Sequence, residues 1–391
     1  MTPIKVIDLF SGAGGLSYGF EQVGAKVVLA IEKDAWAVDT YKANHRNQNV
    51  LEADINELEN DFFEQYKGNV DIVMGGPPCQ GFSIAASNRR KMDDSRNVLY
   101  RQFLRVVDVV SPKVVLIENV KEIVNYKLPD GTKIIEDIKA FFGEHNYIFD
   151  YHVLNCRNYG IPQDRRRFFF IARRKDVSSN EFDVEKMMER YKQPEISFYD
   201  AMLDLPKVKS KEFPEDSVLE YVNSPSNEYQ KKMRVGSSKL YNHIPMQHTD
   251  KTIQKFAFLL ENNGEELPEE LKPRVRGNLD EISNSSYSQN HRIIDGNKVS
   301  PTITASFYSS FIHPNQPRNL TVREAARMQT FPDTFIFKGK KTTLSKKLLA
   351  KKGIVEEIHL DQFNQVGNAV PPLMGEHLAE ICIELMKGKH E

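Results

Sequence analysis

Short apolar runs rich in β-branched residues recur through the first 175 residues, and stretches with helical spacing separate them. Runs of this length bounded by turn residues predict buried strands. The predicted strands are Ile4–Phe10, Val27–Ile31, Val70–Met74, Val114–Ile117 and Phe168–Ala172, with helices that include Ala35–Asn44 and Val98–Val110. Alternating strands and helices predict an α/β fold with a mostly parallel sheet covered on both faces.

The character of the sequence changes after about residue 175. Up to about residue 317 it is polar and interrupted by prolines, which predicts a smaller, irregular domain. Apolar residues at helical spacing return in Val322–Met328 and Met374–Met386, and we expect the second of these helices to pack back on the large domain. The expected domains span residues 1–185, 186–317 and 318–391, with the third segment completing the first domain.

Length and composition exclude collagen-like, mucin-like and wholly disordered proteins. A chain of 391 residues is long enough for two domains, and 40% hydrophobic with 27% charged residues is ordinary for a folded globular protein. No run approaches the roughly 18 apolar residues that a membrane span needs, and the chain enters its first strand at Ile4 without a cleavable signal pattern. We therefore expect a cytoplasmic protein that does not contact membranes.

The three cysteines, Cys79, Cys156 and Cys382, lie far apart along the chain. They form neither a disulfide framework nor a zinc site by themselves, and no bound metal is expected. Cys79 differs from the other two because Pro77 and Pro78 precede it at the end of a predicted strand, where they stiffen the backbone that presents its sulfur. This setting favours a reactive thiol at Cys79, whereas Cys156 and Cys382 are expected to be structural.

Charge is balanced overall but concentrated locally. The chain has 53 Lys and Arg against 54 Asp and Glu, a net charge of −1. Seven basic residues lie between Arg157 and Lys175, and another seven lie between Lys338 and Lys352. Each run is either a solvated face or a surface for phosphate groups, and composition does not decide between them.

Polar residues follow the first two predicted strands and a further candidate strand that ends at Asp54, at the edge where parallel sheets bind ligands. A glycine-rich turn, Gly12–Leu16, lets the backbone approach a ligand. Glu32 lies about 20 residues further on, where a carboxylate accepts hydrogen bonds from ribose hydroxyls. Asp54 is placed within reach of an adenine amino group. Separately these features are a tight turn and two exposed acids, but together they predict a nucleoside pocket.

Two further strands carry candidate catalytic side chains. Glu118 directly follows four apolar residues, so it should be partly desolvated, with a raised pKa that lets it donate or share a proton. Arg165 and Arg167 precede Phe168, and alternate positions of a strand face the same side, where guanidinium groups can hold a carbonyl or a phosphate. The alternatives are a capping or ion-paired acid and a basic edge strand.

Six short sequence blocks follow one another along the chain. They are Asp8–Gly15 (DLFSGAGG), Gly76–Ser83 (GPPCQGFS), Glu118–Val120 (ENV), Gln163–Arg167 (QDRRR), Arg323–Gln329 (REAARMQ) and Gln365–Pro372 (QVGNAVPP). With these blocks in this order, the chain closely resembles the DNA (cytosine-5)-methyltransferases. The long unmatched stretch, about 185 to 315, lies where that family has its variable target-recognition domain.

The resemblance implies a Rossmann-like, S-adenosylmethionine-dependent methyltransferase domain with a smaller irregular target-recognition domain. It implies that Cys79 is the nucleophile, that Glu118 engages cytosine N3, and that Arg165 and Arg167 secure the base. It also places Gln80 and Ser83 in a DNA-binding loop and gives Arg323–Gln329 a bracing role. The residues that it places around S-adenosylmethionine are Phe10, Gly12, Ala13, Gly14, Gly15, Leu16, Glu32, Asp54, Pro78, Asn368 and Val370.

We therefore predict a methyltransferase that acts on C5 of a specific cytosine in double-stranded DNA. Cytosine C5 is a poor nucleophile until a thiolate adds to C6, and neither atom is accessible inside a duplex, so the predicted route is a covalent Cys79–C6 intermediate on a flipped base. Two alternatives share the fold: a tRNA cytosine-5 methyltransferase and a catalytically silent DNA-binding regulator. A nicotinamide dehydrogenase does not fit, because the glycine pattern is G-x-G-G.

The resemblance also suggests a prokaryotic restriction–modification enzyme. We expect a monomer, with a cognate restriction endonuclease in the same system but no stable complex with it. The recognised DNA sequence cannot be read from the chain, and polar residues between Val235 and Asn297 are the candidates for reading it. One departure from the family is a long lysine-rich connection that includes Ser345–Glu357, either a DNA contact or, as we favour, a solvated insertion.

Overall fold

The computed structural model describes residues 3–46, 49–78, 99–128, 130–275, 278–282, 291–305, 307–344, 346–354 and 358–387. The chain divides into two compact units. Unit 1 comprises Met1–Ile161, Arg165–Pro194 and Ala369–Glu391, and unit 2 comprises Pro162–Asp164 and Glu195–Asn368. The bounds differ from the expected domains chiefly at residues 318–368, which lie in unit 2 and do not complete the first domain.

Unit 1 is built on a seven-stranded sheet. Its strands are β1 (Lys5–Leu9), β2 (Lys26–Glu32), β3 (Val50–Glu52), β4 (Ile72–Gly75), β5 (Val114–Val120), β6 (Tyr147–Asn155) and β8 (Arg166–Arg174). Strand β7 (Gln163–Asp164) comes between β6 and β8 in the sequence but belongs to unit 2. The order of the seven strands in the sheet is β3-β2-β1-β4-β5-β8-β6. The pairs from β3 to β5 are parallel, while β8 is antiparallel to both β5 and β6. The predicted α/β fold is confirmed. Strand β3 lies just before Asp54, where a candidate strand end was expected, and β6 was not predicted.

Thirteen helices lie within the described residues. They are α1 (Gly15–Gln22), α2 (Ala35–Asn44), α3 (Asn60–Glu64), α4 (Leu99–Val110), α5 (Ile134–Glu144), α6 (Val184–Met188), α7 (Phe198–Met202), α8 (Glu228–Arg234), α9 (Asp250–Glu261), α10 (Val322–Met328), α11 (Lys346–Lys351), α12 (Gln362–Asn368) and α13 (Pro372–Met386). In unit 1, α1, α6 and α13 pack on one face of the sheet, and α3, α4 and α5 pack on the other.

The last helix of the chain packs closely on the first. A Cβ atom on Gly19 of α1 would lie 2.4 Å from the carbonyl oxygen of Pro372, and one on Gly375 would lie 3.1 Å from that of Leu16. Only glycine allows the two helix backbones to approach so closely. Helix α13 therefore completes the layer that covers β1 and the glycine-rich turn of the same unit.

Unit 2 has short strands and a polar interior. Its further strands are β9 (Arg274–Val275), β10 (Asn278–Ile282), β11 (Arg292–Ile293), β12 (Ser300–Pro301) and β13 (Phe311–Ile312), and β12 pairs with β7. Arg327 is fully buried and donates to Asp333 at 3.0 and 2.6 Å and to Asp204 at 2.5 and 3.1 Å. Arg318 donates to both carboxylate oxygens of Glu324 at 2.9 and 2.6 Å. These contacts enclose α10 and explain why this segment belongs to unit 2.

The lysine-rich connection is closed at its base by hydrogen bonds within unit 2. The Gln362 backbone N–H donates to the carbonyl of Lys340 at 3.0 Å, and the Thr343 N–H donates to the Asp361 carboxylate at 3.1 Å. Lys341 is 8% exposed and donates to the carbonyl of Pro245 at 3.0 Å. Lys341 therefore has a structural role, and whether the segment beyond residue 344 is a solvated insertion stays a prediction.

Among the described residues, no helix combines the length and the apolar character needed to cross a membrane.

Candidate functional site

The glycine-rich turn after β1 requires its glycines. Gly12 and Gly14 have φ angles of +55° and +87°, in the left-handed region that side chains disfavour. A Cβ on Gly14 would lie 2.1 Å from Nε2 of His45, so the turn rests directly on that ring. By contrast, no described atom lies within 4 Å of a Cβ placed on Gly12. The turn is thus supported from beneath at Gly14 and open at Gly12, as a ligand-binding backbone should be.

Glu32, the last residue of β2, is tied to this turn. Its carboxylate accepts hydrogen bonds from the backbone N–H groups of Gly12 at 2.9 Å, Lys33 at 2.8 Å and Asp34 at 2.8 Å. Burial raises the pKa of Glu32, and these hydrogen bonds partly offset that rise. A carboxylate has about four acceptor positions, so Glu32 can still accept from a ribose hydroxyl.

Asp54 caps the short 3₁₀ helix Ile55–Glu57 and remains partly exposed. Its Oδ1 accepts from the backbone N–H of Asn56 at 3.0 Å and from the Asn56 side-chain amide at 2.8 Å. Its Oδ2 lies 3.5 Å from Nζ of Lys33. Although burial raises the pKa of Asp54, the bonds from Asn56 and the Lys33 charge lower it below the usual value. Asp54 is therefore an ionised acceptor, which suits an adenine amino group.

The end of β4 lies against the candidate catalytic acid. A Cβ on Gly76 would lie 3.0 Å from Oε2 of Glu118, and the side-chain amide of Asn119 donates to the carbonyl of Pro77 at 2.9 Å. This bond fixes the backbone that leads through Pro78 to the predicted nucleophile. Cys79, Gln80 and Ser83 themselves lie outside the described residues.

Glu118 is buried, as predicted, with 8% of its surface exposed. Its Oε1 lies 3.2 Å from Nε of Arg167 on the adjacent strand β8. Burial raises the pKa of Glu118, and the charges of Arg167 and Arg165 offset part of the rise. A carboxyl with a raised pKa beside a fixed guanidinium is suited to sharing a proton with a ring nitrogen.

Arg165 is fully buried, and its NH2 donates to the carbonyl of Ala369 at 3.0 Å. Burial and the charge of Arg167 lower the pKa of Arg165 to about 9, while Glu118 opposes the effect. The two arginines were expected to face one side of a single strand. Instead, β8 begins at Arg166, and Arg165 lies before it, tied to the chain next to Val370. The charges of both arginines nevertheless act on Glu118, and contact of Arg165 with the base stays a prediction.

The remaining predicted cofactor residues differ in their burial and in the unit to which they belong. Ala13 and Leu16 are 3% and 4% exposed, and Val370, at 8%, packs in the same apolar cluster as Leu16. Phe10 has a left-handed φ of 60° and is partly buried. Asn368 is exposed at the end of α12, in unit 2, whereas the others belong to unit 1.

Sequence reasoning missed a buried polar chain beneath the glycine-rich turn. Ser17 donates to the Asp8 carboxylate at 2.6 Å, and the Tyr41 hydroxyl donates to Ser17 at 3.0 Å. Burial raises the pKa of Asp8 to about 7. In the sequence, the only sign of these buried hydrogen bonds was Asp8, an acid inside an otherwise apolar strand run.

Cys156 is fully buried, and burial raises the pKa of its thiol to about 11, so it is an inert thiol.

The family assignment agrees with this geometry. A family model described as C-5 cytosine-specific DNA methylase matches residues 4–384, and the chain belongs to this family. Its activity is the transfer of a methyl group from S-adenosylmethionine to C5 of cytosine in DNA. The prediction of a DNA (cytosine-5-)-methyltransferase is thereby confirmed. This activity takes precedence over the two alternative functions, a tRNA methyltransferase and a catalytically silent regulator.

Curated relatives are type II methyltransferases. The chain is 40% identical over 378 residues to M.DdeI of Desulfomicrobium norvegicum, covering 96% of this chain and 88% of that protein. It is 33% identical to M1.HphI of Haemophilus parahaemolyticus, covering 98% and 87%. A prophage-encoded E. coli protein assigned as a DNA modification methyltransferase has a TM-score of 0.72 at 26% identity, covering 98% and 99%. Dnmt2 of S. pombe, with a TM-score of 0.59 at 16% identity and coverage of 97% and 98%, shares the fold.

Proposed function

We propose that the chain methylates cytosine in double-stranded DNA by a covalent route in which Cys79 is the nucleophile and Glu118 acts at N3. The observation that carries this proposal is the buried Glu118–Arg167 pair, which lies against Gly76 three residues before Cys79. Within the part of the chain that the structure describes, Arg167 pairs with one oxygen of this carboxyl group, and the other oxygen lies toward Gly76.

The cofactor fits the residues of the turn. The open backbone at Gly12, the acceptor positions of Glu32 and the ionised Asp54 match the chemistry of a nucleoside with a ribose diol and an amino group. We propose that these residues hold S-adenosylmethionine together with the others that the resemblance implied. When bound, S-adenosylmethionine supplies an electrophilic methyl sulfonium. The protein's own task is to make C5 of the base nucleophilic.

The side chains divide this task between them. The Cys79 thiolate adds to C6, and Glu118 stabilises the charge that develops in the ring by sharing its proton with N3. Arg167 holds the Glu118 carboxyl in place, and Arg165 ties the start of β8 to Ala369. Once C5 carries the methyl group, loss of the C5 proton and departure of the sulfur restore the aromatic ring. The base must be flipped from the duplex, a cost of a few kcal/mol that binding contacts offset.

Methyl transfer from labelled cofactor to DNA tests this assignment. We expect Cys79→Ser to abolish turnover and to prevent a covalent adduct with DNA that contains 5-fluorocytosine, while Cys156→Ser retains both. Transfer RNA serves as the control substrate and should remain unlabelled. A Cys79→Ser variant with undiminished turnover would overturn the covalent route.

We further propose that the protein belongs to a restriction–modification system and acts as a monomer without a stable nuclease complex. The type II relatives support this context. Bisulfite sequencing of plasmid from an expressing host would reveal the methylated sequence, and light scattering would give the mass in solution. Scattered methylation without a recurring sequence would contradict a restriction–modification role.

A further inference from the structure

Arg105 on α4 clamps the turn that follows Asp54. Its NH2 donates to two carbonyl oxygens of this turn, that of Ile55 at 3.1 Å and that of Leu58 at 2.9 Å. Its NH1 donates to the Asn60 side chain at 2.7 Å, and its Nε donates to Gln102 at 2.7 Å. One guanidinium group thus connects α4, the turn and the first residue of α3.

All four acceptors are neutral oxygens. Among the described residues no carboxylate lies within ion-pair distance of Arg105, and the charge of Glu59 acts on it only at longer range. The direct contacts of the side chain are therefore hydrogen bonds to neutral groups. The planar guanidinium group presents its donors in a fixed fork, which lysine lacks, and a fork is what two carbonyls of one tight turn require. The contact therefore sets the geometry of the turn.

The position of the Asp54 carboxylate depends on the same turn. Asp54 is the N-cap of the 3₁₀ helix Ile55–Glu57, and its Oδ1 is fixed by two bonds from Asn56. If the turn relaxes, Asn56 moves and both bonds weaken. The Asp54 carboxylate then loses its fixed orientation, even though Arg105 does not touch it.

We propose that Arg105 is a positioning residue for the cofactor: by clamping the turn at Ile55 and Leu58, it orients the Asp54 carboxylate toward the adenine amino group of S-adenosylmethionine. This inference rests on the cofactor role proposed above for Asp54. It assigns a function in cofactor affinity to a side chain that lies outside all six sequence blocks.

The test is binding of S-adenosylhomocysteine, measured by calorimetry. Arg105→Met keeps the apolar stem of the side chain, and we expect it to weaken binding about tenfold, the loss of one well-placed polar contact. We expect kcat at saturating cofactor to stay within about twofold, because Cys79 and Glu118 are untouched. Arg105→Lys should fall between the variant and the parent protein, since a single ammonium group can bond only part of the turn. If Arg105→Met fails to fold, the cofactor affinity of Arg105→Lys still tests the inference.

Arg101→Met is the matched control on the same helix. Arg101 is exposed and bonds to Tyr100 and Asp137, away from the turn, so its replacement should leave cofactor affinity unchanged. Binding by Arg105→Met within about twofold of the parent protein would overturn the inference. So would an equal loss of affinity in Arg101→Met, which would indicate a general effect on α4.

A double-mutant cycle separates positioning from a general structural effect. If Arg105 acts through Asp54, the variant that combines Asp54→Ala with Arg105→Met binds no more weakly than Asp54→Ala alone. Additive losses would overturn the inference. A normal affinity of Asp54→Ala by itself would instead overturn the role of Asp54, so the two failures are distinguishable. An S-inosyl analogue, which lacks the adenine amino group, should abolish the penalty of Arg105→Met.

Discussion

The two units differ in how their buried charged groups are partnered. In unit 1 the strands are buried on both faces by aliphatic and aromatic side chains such as Val73, Val115 and Phe170. Unit 1 also buries Arg165 and Arg173, which donate to backbone carbonyl groups. In unit 2, by contrast, the fully buried Arg318 and Arg327 are paired with buried carboxylates. Apolar packing tolerates exchanges of similar volume, whereas a buried ion pair depends on every partner. We therefore expect substitution of the buried ion-paired residues of unit 2 to lower its stability. Substitution of Glu118 in unit 1 should instead lower the enzyme's activity.

The largest effect is expected from Arg327→Met in unit 2. The change removes the main partner of the buried carboxylates of Asp204 and Asp333, which keep only the longer contacts with Arg234 at 3.5 Å and Arg323 at 3.8 Å and the Tyr221 hydroxyl. We therefore expect a loss of about 3–5 kcal/mol in the free energy of unfolding. Hydrogen exchange of unit 2 peptides and denaturant unfolding would measure it.

The control for that variant is an exposed ion pair on α8. Lys231 and Glu228 lie 2.7 Å apart, with side chains 56% and 89% exposed, and Glu228→Gln should change stability by less than about 1 kcal/mol. If Arg327→Met were as mild as this control, the contrast between the two interiors would not hold.

In unit 1 the equivalent polar change should affect chemistry more than folding. Glu118→Gln keeps the shape of the side chain but loses the titrating proton, so kcat should fall by about 10²–10⁴-fold with little change in melting temperature. Glu122→Gln, four residues further on beside Lys121, is the matched control and should retain activity. A large fall in the melting temperature of Glu118→Gln would show that the acid is structural after all.

The two units should also respond to pH in opposite directions. Burial lowers the pKa of His243 in unit 2 to about 4, so its contribution to stability is lost as the pH falls from 6.5 toward 4. Burial raises the pKa of Asp8 in unit 1 from 3.8 to about 7, so its contribution is greatest at low pH and is lost as the pH rises toward 7. Acidification from pH 7 to 5 should therefore weaken unit 2 relative to unit 1.

Hydrogen exchange at pH 5, 6 and 7, corrected for intrinsic rates, would show this divergence. Asp8→Asn should reduce the response of unit 1 alone. His243→Asn should reduce that of unit 2 alone, where burial also lowers the pKa of His248, His291 and His313. Parallel responses of the two units would contradict the assignment of these groups.

The smallest effect is expected in the lysine-rich insertion. Replacing Lys346, Lys347, Lys351 and Lys352 by glutamine should leave DNA affinity and its salt dependence unchanged, because we expect a solvated insertion. Fluorescence anisotropy at several salt concentrations would measure both. Each phosphate contact contributes about 0.9 to the slope of log affinity against log salt, so a slope reduced by about 1 or more would establish a DNA contact.

The sequence predicted unit 1 well because its signal is local. Five strands are continuous apolar runs, and the turn at Gly12 and the acid Glu118 follow such runs directly. Strand β6 was missed because its residues are mostly half-buried at the edge of the sheet, so neither a continuous run nor a clean alternation marks it. The bounds of the glycine-rich turn and the burial of Glu118 could therefore be read without the fold.

The interior of unit 2 could not be predicted in the same way. Arg327 and Asp204 are 123 residues apart, and nothing in either neighbourhood indicates the pairing. Buried arginines look like exposed ones in a sequence, since their burial depends on partners brought together only by folding. The anchoring of Arg165 to Ala369 escaped prediction for the same reason, at a separation of 204 residues.

The contact between Gly19 and Pro372 has a consequence for synthesis on the ribosome. Helix α1 is synthesised before unit 2, whereas helix α13, which covers it, is synthesised after unit 2. Until α13 is synthesised, the apolar face that it will cover is exposed to water and to chaperones. A chain released from the ribosome before α13 would therefore keep this apolar surface exposed. The packing of unit 1 is thereby completed only after unit 2 has been synthesised.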